Sequence, residues 1–216
     1  SADRTDGKHG NERLDARLLL RSRNFLKIRA APSRPAPGHC PTIYHSGAMD
    51  VVAVTNIKGG VGKTTTAVNL AYLAAQAGRS TVLWDLDPQG AATYTLQGEP
   101  NDRVSAKKLV RGKRELLELI APTPYPCLSL IPSNFSFRKL EVHLNERKHP
   151  TERLLRMSRS LRESYDYLFL DCPPGMSLLS ENVLRAADAV VRRRPQGRQV
   201  AAARLRRRLA QHQGRA

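Results

Sequence analysis

A short loop rich in glycine, lysine and threonine contains the residue types that bind phosphate groups. The run Lys58–Thr65 reads Lys-Gly-Gly-Val-Gly-Lys-Thr-Thr. Glycines let a backbone approach an anion closely, so that its N–H groups converge on the charge. The lysine after the last glycine suits the outer phosphates of a nucleotide, and the hydroxyl that follows suits Mg²⁺. The loop therefore predicts a nucleotide site.

Each part of this loop has a predicted contact. The glycines admit the phosphates, Lys63 reaches the β- and γ-phosphates, and the Thr64 hydroxyl ligates Mg²⁺. Thr65 opens the following helix and is placed to hold the α-phosphate. The complete predicted nucleotide-binding set is Lys58, Gly59, Gly60, Val61, Gly62, Lys63, Thr64 and Thr65.

Acidic residues follow two later apolar runs. Asp85 and Asp87 lie in the segment Asp-Leu-Asp-Pro-Gln-Gly, and Asp171 follows Leu168–Leu170. An acid at the end of a buried strand is costly unless it is paired or linked to a metal. The alternative for Asp171 is a plain strand-ending turn, but the cost of burial favours a metal-linked role.

The elements that must position these loops alternate regularly. Short apolar runs predict strands at 51–56, 80–84, 128–131, 167–170 and from 189 onward. Helical spacing predicts helices at 65–77, 104–120, 136–145, 151–163 and 178–187, with Gly78 ending the first of them. This alternation predicts a three-layer α/β fold with a doubly wound, mostly parallel sheet. The candidate loops follow carboxyl ends of strands, where such sheets bind ligands.

The chain of 216 residues carries a formal net charge of +17, and most of it lies at the two ends. Residues 1–48 hold nine basic side chains against four acids, and residues 192–216 hold nine arginines and no acid. Residues 49–191 are close to neutral, with 18 basic and 15 acidic side chains. Because we least expect the two ends to fold, their charge gives only weak support for a nucleic-acid partner. No stretch approaches the roughly 20 apolar residues of a membrane span, so we expect no membrane partner.

The phosphate loop departs from the common G-x-x-x-x-G-K-[ST] pattern, because Ile57 replaces its first glycine and Lys58 follows. This combination is typical of the deviant Walker A class of P-loop NTPases. Together with the segment 85–90, it makes residues 49–191 resemble ParA/Soj-type partition ATPases, which are relatives of MinD, nitrogenase iron protein and bacterial tyrosine kinases. A nitrogenase-type protein would need cysteines at other positions to ligate its metal cluster, so we exclude this relative. A kinase of this kind would end in a tyrosine cluster, but no tyrosine follows Tyr167.

The resemblance implies a catalytic role for three residues. Lys58 would reach the phosphates of a partner subunit in a nucleotide-sandwich dimer, in the manner of an arginine finger. Asp87 would orient the attacking water. The implied catalytic residues are therefore Lys58, Lys63 and Asp87.

The resemblance also implies a metal site and a switch. Asp85 and Asp171 would hold Mg²⁺ through water, beside the direct ligand Thr64. The loop of Pro173, Pro174 and Gly175 would sense the γ-phosphate.

The function that the resemblance implies is an ATP-dependent switch of chromosome or plasmid partitioning. Such a switch dimerises on ATP, hydrolyses it slowly with Mg²⁺, and in an intact family member associates with DNA without sequence preference until a ParB-like partner stimulates hydrolysis. It acts in the cytoplasm, on the nucleoid. Two alternatives stay open: a MinD-like regulator at a membrane surface, and a nucleotide-binding remnant that neither dimerises nor hydrolyses ATP.

The composition along the chain predicts three segments. Residues 1–48 form a basic, proline-rich extension that we expect to be disordered or non-native. Residues 49–191 form the ATPase core, which we expect to be incomplete because family members continue with further strands and helices. Residues 192–216 read as a non-native or frame-shifted tail, and Arg192–Arg194 are predicted to end the last strand at Val191.

Overall fold

The computed structural model describes residues 49–99, 104–193 and 200–204, and the predictions for residues 1–48 and for most of 192–216 lie outside these ranges. The described strands form one sheet of seven: β1 Asp50–Val54, β2 Thr81–Asp85, β3 Ala121–Pro122, β4 Leu128–Ile131, β5 Tyr167–Asp171, β6 Ala189–Arg193 and β7 Val200–Arg204. The described α-helices are α1 Lys63–Gln76, α2 Ala91–Thr95, α3 Ala106–Val110, α4 Leu140–Asn145, α5 Arg153–Met157 and α6 Leu178–Ala186.

The sheet is parallel except at its edges. Its strands lie in the order β3-β4-β2-β5-β1-β6-β7, with parallel pairing from β4 to β6. The short β3 and the last strand β7 pair antiparallel to β4 and β6. The predicted α/β fold with a mostly parallel sheet is confirmed.

Alternate residues of the central strands pack into two separate apolar layers. On β1, Val51 and Ala53 belong to one cluster, which also contains Leu109 of α3. Val52 and Val54 belong to the other cluster, together with Leu70 of α1. Since both faces of the sheet are covered, the strands are apolar at nearly every position, and this pattern made them visible in the sequence.

The predicted end of the first helix is correct. Gly78 has a φ of 74° and donates its N–H to the Ala75 carbonyl at 2.9 Å. Arg79 then donates to the Ala74 carbonyl at 3.1 Å. These two bonds form the Schellman motif that ends a helix at a glycine.

The predicted continuous helix at 104–120 is wrong, because a second glycine ends it early. Gly112 has a φ of 69° and donates to the Leu109 carbonyl at 2.9 Å, and Lys113 donates to the Lys108 carbonyl at 3.0 Å. The same motif therefore stops α3, and a separate 3₁₀ turn follows at Leu116–Leu119.

The two helices predicted at 136–145 and 151–163 are each shorter and mixed with 3₁₀ turns. The first consists of a 3₁₀ turn at Phe135–Lys139 followed by α4. In the second, 3₁₀ turns at Pro150–Glu152 and Ser158–Leu161 flank α5. The short elements α2 and β3 were not predicted, since two to five residues are too few to show a period.

The last parallel strand extends beyond its predicted end at Val191. Strand β6 runs to Arg193 and pairs with β7 along its full length. The pairing of β6 with β1 ends at Val191, and Arg192 is exposed. Arg192 can continue β6 because its side chain is exposed and no charge is buried there.

One buried amide ties α5 to α6. The Asn182 side chain is fully buried, and its Oδ1 accepts hydrogen bonds from the backbone N–H groups of Arg153 and Leu154 at 3.0 and 3.3 Å. Its Nδ2 donates to the carbonyls of Pro150 and Leu178 at 2.8 and 2.9 Å. Asn182 thus satisfies the first N–H groups of α5, which would otherwise lack partners.

We predict that Asn182→Ala lowers the free energy of unfolding by about 2–4 kcal/mol, because it leaves buried backbone groups without hydrogen bonds. Urea unfolding of the full chain measures this change. The exposed Asn145→Ala is the matched control and should shift the midpoint little. Equal midpoints for Asn182→Ala and Asn145→Ala would contradict the role of this amide.

Candidate nucleotide and magnesium site

The glycine loop connects β1 to α1 and is open to solvent. Gly60 and Gly62 have φ values of 67° and 80°, a conformation that side chains rarely adopt. A Cβ atom added at Gly59, Gly60 or Gly62 would meet no atom within 4 Å. The loop therefore needs glycine at two positions for its conformation, and it borders free space in which an anion can bind.

The helix that follows the loop begins without a cap. No side chain accepts a hydrogen bond from the first turn of α1, and this turn contains no acidic residue. The N–H groups at the start of a helix carry a partial positive charge and lack partners within the helix. The 14-residue helix α1 thus presents free donors at the end of a glycine loop, which is the arrangement that binds phosphate.

The loop lysine lies across the loop. Lys63 Nζ donates to the Lys58 carbonyl at 3.4 Å, a long hydrogen bond that an anion in the loop can replace. Lys63 is half-buried, whereas Lys58 is exposed. In this single chain the side chain of Lys58 is therefore in solvent, although its carbonyl contacts Lys63.

Asp171 lies at the end of β5 and is fully buried. Neither oxygen of its carboxylate makes a hydrogen bond of good geometry, although the Thr64 hydroxyl lies close enough to interact with it. Burial raises the pKa of this carboxyl to about 7. The Thr64 hydroxyl lowers the pKa, the Asp85 and Asp87 carboxylates raise it, and the Lys63 ammonium lowers it again.

The groups that shift the pKa of Asp171 show that the predicted residues lie together at the carboxyl ends of the central strands. Asp171 pairs in register with Asp85 on β2 and with Val54 on β1, the strand that leads into the loop. A buried carboxylate without a partner needs a cation to offset its lost hydration. Mg²⁺ prefers carboxylate and hydroxyl oxygens and keeps several waters. The donor set of Thr64, Asp85 and Asp171 therefore fits Mg²⁺.

Asp85 is already held by protein groups. Its Oδ2 accepts from the Thr93 backbone N–H at 2.8 Å and from the Thr93 hydroxyl at 2.7 Å, and its Oδ1 accepts from the Asp87 N–H at 3.2 Å. Burial raises the pKa of this carboxyl, and the hydrogen bonds of Thr93 lower it. Asp85 can therefore reach a metal through water with Oδ1, while Oδ2 stays bound to α2.

Sequence reasoning missed Thr93 and Ser133, which complete this network. The Ser133 N–H donates to the Thr93 hydroxyl at 2.8 Å, and the Ser133 hydroxyl donates to the Asp87 carbonyl at 2.7 Å. Both residues are buried polar side chains next to the acidic segment. Their only signal in the sequence was their place after the carboxyl ends of β2 and β4.

Asp87 is held in a turn with part of its carboxylate available. Its Oδ1 accepts from the Gln89 N–H at 3.0 Å, and its backbone carbonyl accepts from the Gly90 N–H at 2.9 Å. Asp87 is half-buried. The turn fixes the backbone, so that the side chain stays beside Asp171.

The predicted switch loop follows Asp171 and ends at the cap of α6. Gly175 has a φ of 111°, and its carbonyl accepts from the Ser180 hydroxyl at 3.2 Å. Ser177 and Ser180 form a capping box at the start of α6. Pro173 and Pro174 thus lie between a candidate metal ligand and a fixed helix start.

Comparison with known proteins agrees with this geometry. The model of the AAA domain family matches residues 49–196. The chain belongs to this family. Within it, the chain resembles the ParA/Soj partition proteins. It is 40% identical over 143 residues to the chromosome partitioning protein ParA of Myxococcus xanthus, and this match covers 65% of this chain and 50% of the relative. It is 37% identical over 142 residues to the sporulation initiation inhibitor protein Soj of Bacillus subtilis, covering 65% and 56%. The chain thus spans about half the length of these relatives.

Solved structures of the same fold bind nucleotide. A cobyrinic acid a,c-diamide synthase from Mycobacterium smegmatis, bound to an ATP analogue and magnesium, is 34% identical with a TM-score of 0.62, covering 67% of this chain and 59% of that one. An ATP complex of McdA from Cyanothece is 25% identical with a TM-score of 0.63, covering 68% and 56%. No helix among the described residues is long and apolar enough to cross a membrane.

The shifted pKa of Asp171 predicts a pH dependence. The folded chain ionises this group near pH 7 and the unfolded chain near 3.8, so the folded state binds more protons between these values. The stability that the protonated group contributes is therefore lost as pH rises through about 7. In metal-free buffer, we predict that Asp171→Asn has a higher urea midpoint than the parent at pH 8 and nearly the same midpoint at pH 4.

Added Mg²⁺ supplies the second readout of this prediction. It should raise the midpoint of the parent chain at pH 8 and leave that of Asp171→Asn unchanged, because the amide carries no charge. A lower midpoint for Asp171→Asn at pH 8 without metal would contradict the cost assigned to the buried carboxylate.

Proposed function

We propose that residues 49–191 form the ATP-binding core of a partition-type switch, which binds ATP with Mg²⁺, pairs with a second copy and hydrolyses ATP slowly. One observation carries this proposal. The open glycine loop and the uncapped start of α1 lie beside the buried carboxylate of Asp171, at the carboxyl ends of the central strands. Free donors beside a buried carboxylate whose burial is only partly offset suit a nucleotide phosphate together with a dication.

Each group of residues at the site has its own role in hydrolysis. The loop N–H groups and Lys63 hold the phosphates, and Thr64, with Asp85 and Asp171 through water, holds Mg²⁺, which neutralises phosphate charge when bound. Asp87 stands next to these groups and orients the attacking water. Pro173–Gly175 follow Asp171 after a single residue, Cys172, and transmit the presence of the γ-phosphate to α6.

Exposed apolar side chains around the site support pairing with a second copy. Ile57, Tyr94, Phe135 and Met176 are 56%, 86%, 68% and 81% exposed. They lie on the loops or helices that follow β1, β2, β4 and β5, so all of them are at the carboxyl edge of the sheet. Large apolar side chains gathered on one face are typical of a protein interface. The exposed Lys58 lies on the same face and is free to reach the partner's phosphates.

The biological role of the proposal rests on the named relatives. Partition proteins of the ParA/Soj type match 65% of this chain. For a chain of the relatives' length, we propose association with DNA on the nucleoid, in the cytoplasm, and stimulation of hydrolysis by a ParB-like partner. ATP-dependent retention of DNA on a filter tests this role, and retention by anionic vesicles instead would favour the MinD-like alternative.

The first test of this function is the loop lysine. Lys63→Ala should weaken ATP binding at least about 100-fold, because it removes the main charge partner of the outer phosphates. Calorimetry with Mg²⁺ and ATP measures the affinity. Lys107→Ala, an exposed lysine of α3 on the opposite face of the sheet, is the control and should bind as the parent does. Equal affinity for the Lys63 variant would overturn the assignment of the site.

A second test separates binding from dimer formation and chemistry. Asp87→Ala should bind ATP normally while hydrolysis falls to background, because the side chain contacts the water rather than the nucleotide. Lys58→Ala should bind ATP but lose the ATP-dependent dimer in sedimentation experiments. Glu163→Ala, an exposed acid outside the site, is the control. Hydrolysis at the parent rate by Asp87→Ala, or an unchanged dimer for Lys58→Ala, would refute these roles.

A further inference from the structure

A closed ring of hydrogen bonds connects the acidic segment after β2 to the residues that follow β4. The Thr93 hydroxyl donates to Asp85 Oδ2 at 2.7 Å and accepts from the Ser133 N–H at 2.8 Å. The Ser133 hydroxyl donates to the Asp87 carbonyl at 2.7 Å, and the Asp87 N–H donates back to Asp85 Oδ1 at 3.2 Å. We call these four residues the hydrogen-bond ring.

The two hydroxyl groups of the ring are fixed in orientation. A hydroxyl has one hydrogen, and since the Thr93 oxygen accepts from Ser133, its own hydrogen is directed to Asp85. Thr93 and Ser133 are 2% and 4% exposed, so water does not compete for these bonds. The ring therefore holds its members more firmly than an exposed turn would.

Pairing of the strands does not account for the ring. β2 and β4 are already joined in register from Thr81 to Trp84, opposite Leu128 to Ile131. The ring lies beyond the last of these pairs, and one of its bonds ends on the carbonyl of Asp87. What it fixes is therefore the segment after the strand, where the two acids lie.

The ring joins the two acids to which the proposed mechanism gives different tasks. Asp85 would hold the metal through water with Oδ1, and Asp87 would orient the attacking water. The Asp87 side chain accepts from the exposed Gln89 N–H, whereas its backbone carbonyl accepts from both Ser133 and the Gly90 N–H, at 2.7 and 2.9 Å. The position of the Asp87 carboxylate relative to Asp85 thus depends on the backbone that Ser133 holds.

From this closed ring, we infer that Thr93 and Ser133 are positioning residues for ATP hydrolysis, which act through Asp85 and Asp87. Thr93 orients Asp85 towards the metal-bound water, and Ser133 holds the Asp87 backbone so that its carboxylate reaches the attacking water. The inference rests on the proposed ATPase function, because it assigns two further residues to that same site.

The test compares Thr93→Val with Thr93→Ser in the full chain of 216 residues. Valine keeps the branched shape of threonine but lacks the hydroxyl, and serine keeps the hydroxyl. Thr93→Val should lower kcat at least about tenfold, because reaction rates fall steeply when catalytic groups are displaced. Its affinity for ATP with Mg²⁺, measured by calorimetry, should change less than about threefold, since the phosphates are held by the glycine loop. Thr93→Ser should restore most of kcat.

Ser133→Ala is the second variant, and it disturbs the fold less. It removes the bond to the Asp87 carbonyl, which keeps the Gly90 N–H as a donor, and it leaves the Ser133 N–H bound to Thr93. No backbone group is then left without a partner. We expect kcat to fall at least about fivefold in this variant, again with nearly unchanged ATP affinity.

Matched controls carry the same substitutions outside the ring. Thr95 is an exposed residue of the same helix, and its hydroxyl donates to the Ala91 carbonyl at 2.8 Å. Ser160 is distant from the site in sequence, and its hydroxyl donates to the Met157 carbonyl at 3.2 Å. Thr95→Val and Ser160→Ala should keep the kcat and the ATP affinity of the parent chain. Urea midpoints of all variants show the folded fraction that each assay contains.

Carbon-13 NMR gives a readout that needs no ATP. The signal of the Asp87 carbonyl carbon, assigned with Asp87→Ala, reports the hydrogen bond that this carbonyl accepts. Thr93→Val should shift the signal beyond the change seen in Thr95→Val, because it releases Ser133 from the ring. Thr93→Ser should return the signal to its position in the parent chain.

Three results would overturn the inference. The first is a kcat equal to that of the parent in folded Thr93→Val or in Ser133→Ala. The second is an equal loss of kcat and ATP affinity in Ser133→Ala, which would show a structural role alone. The third is an Asp87 signal that Thr93→Val leaves in place. If Thr93→Val does not fold, the result for Ser133→Ala decides. A parent chain that hydrolyses no ATP would instead overturn the proposed function, and this inference with it.

Discussion

The buried carboxylate of Asp171 is the group on which the arrangement of the site depends. A charge at the end of a fully buried strand loses its hydration, and the nearby Thr64 hydroxyl and Lys63 ammonium offset only part of that loss. The free protein therefore raises the pKa of this group to about 7 instead of pairing it. A dication restores the charged form. In the function that we propose, binding of metal and nucleotide would relieve a cost that the fold itself creates, and this would link ligand binding to stability.

The sheet places this carboxylate where it can be used. β5 lies between β1 and β2, so its carboxyl end is next to both the glycine loop and the acidic segment that begins at Asp85. Asp85 is bound on one side by Thr93, and Thr93 is bound by Ser133. This series of hydrogen bonds connects the segments after β2 and β4 to Asp85, one of the predicted magnesium ligands. The exposed apolar residues at the same carboxyl ends of the strands would face the second copy in the dimer that we propose.

Prediction from the sequence succeeded where one local rule decides the structure. The buried strands were visible because both faces of the sheet are covered, and the end of α1 was visible because Gly78 follows the apolar pattern. It failed at Gly112, where the same kind of glycine stop lies inside an amphipathic pattern that continues beyond it. Thr93, Ser133 and Asn182 each make a hydrogen bond to a partner at least eight residues away, which no local pattern reveals.

The pKa of the Asp171 carboxyl can be measured directly in the folded protein. Carbon-13 NMR of labelled aspartate carboxyl groups, assigned with Asp171→Asn, follows the group through a pH titration with and without Mg²⁺ and ADP. The account predicts a carboxyl that titrates near pH 7 in the free protein and stays ionised well below that pH when metal and nucleotide are bound. A carboxyl that titrates near pH 4 in the free protein, with no change on adding Mg²⁺ and ADP, would contradict it.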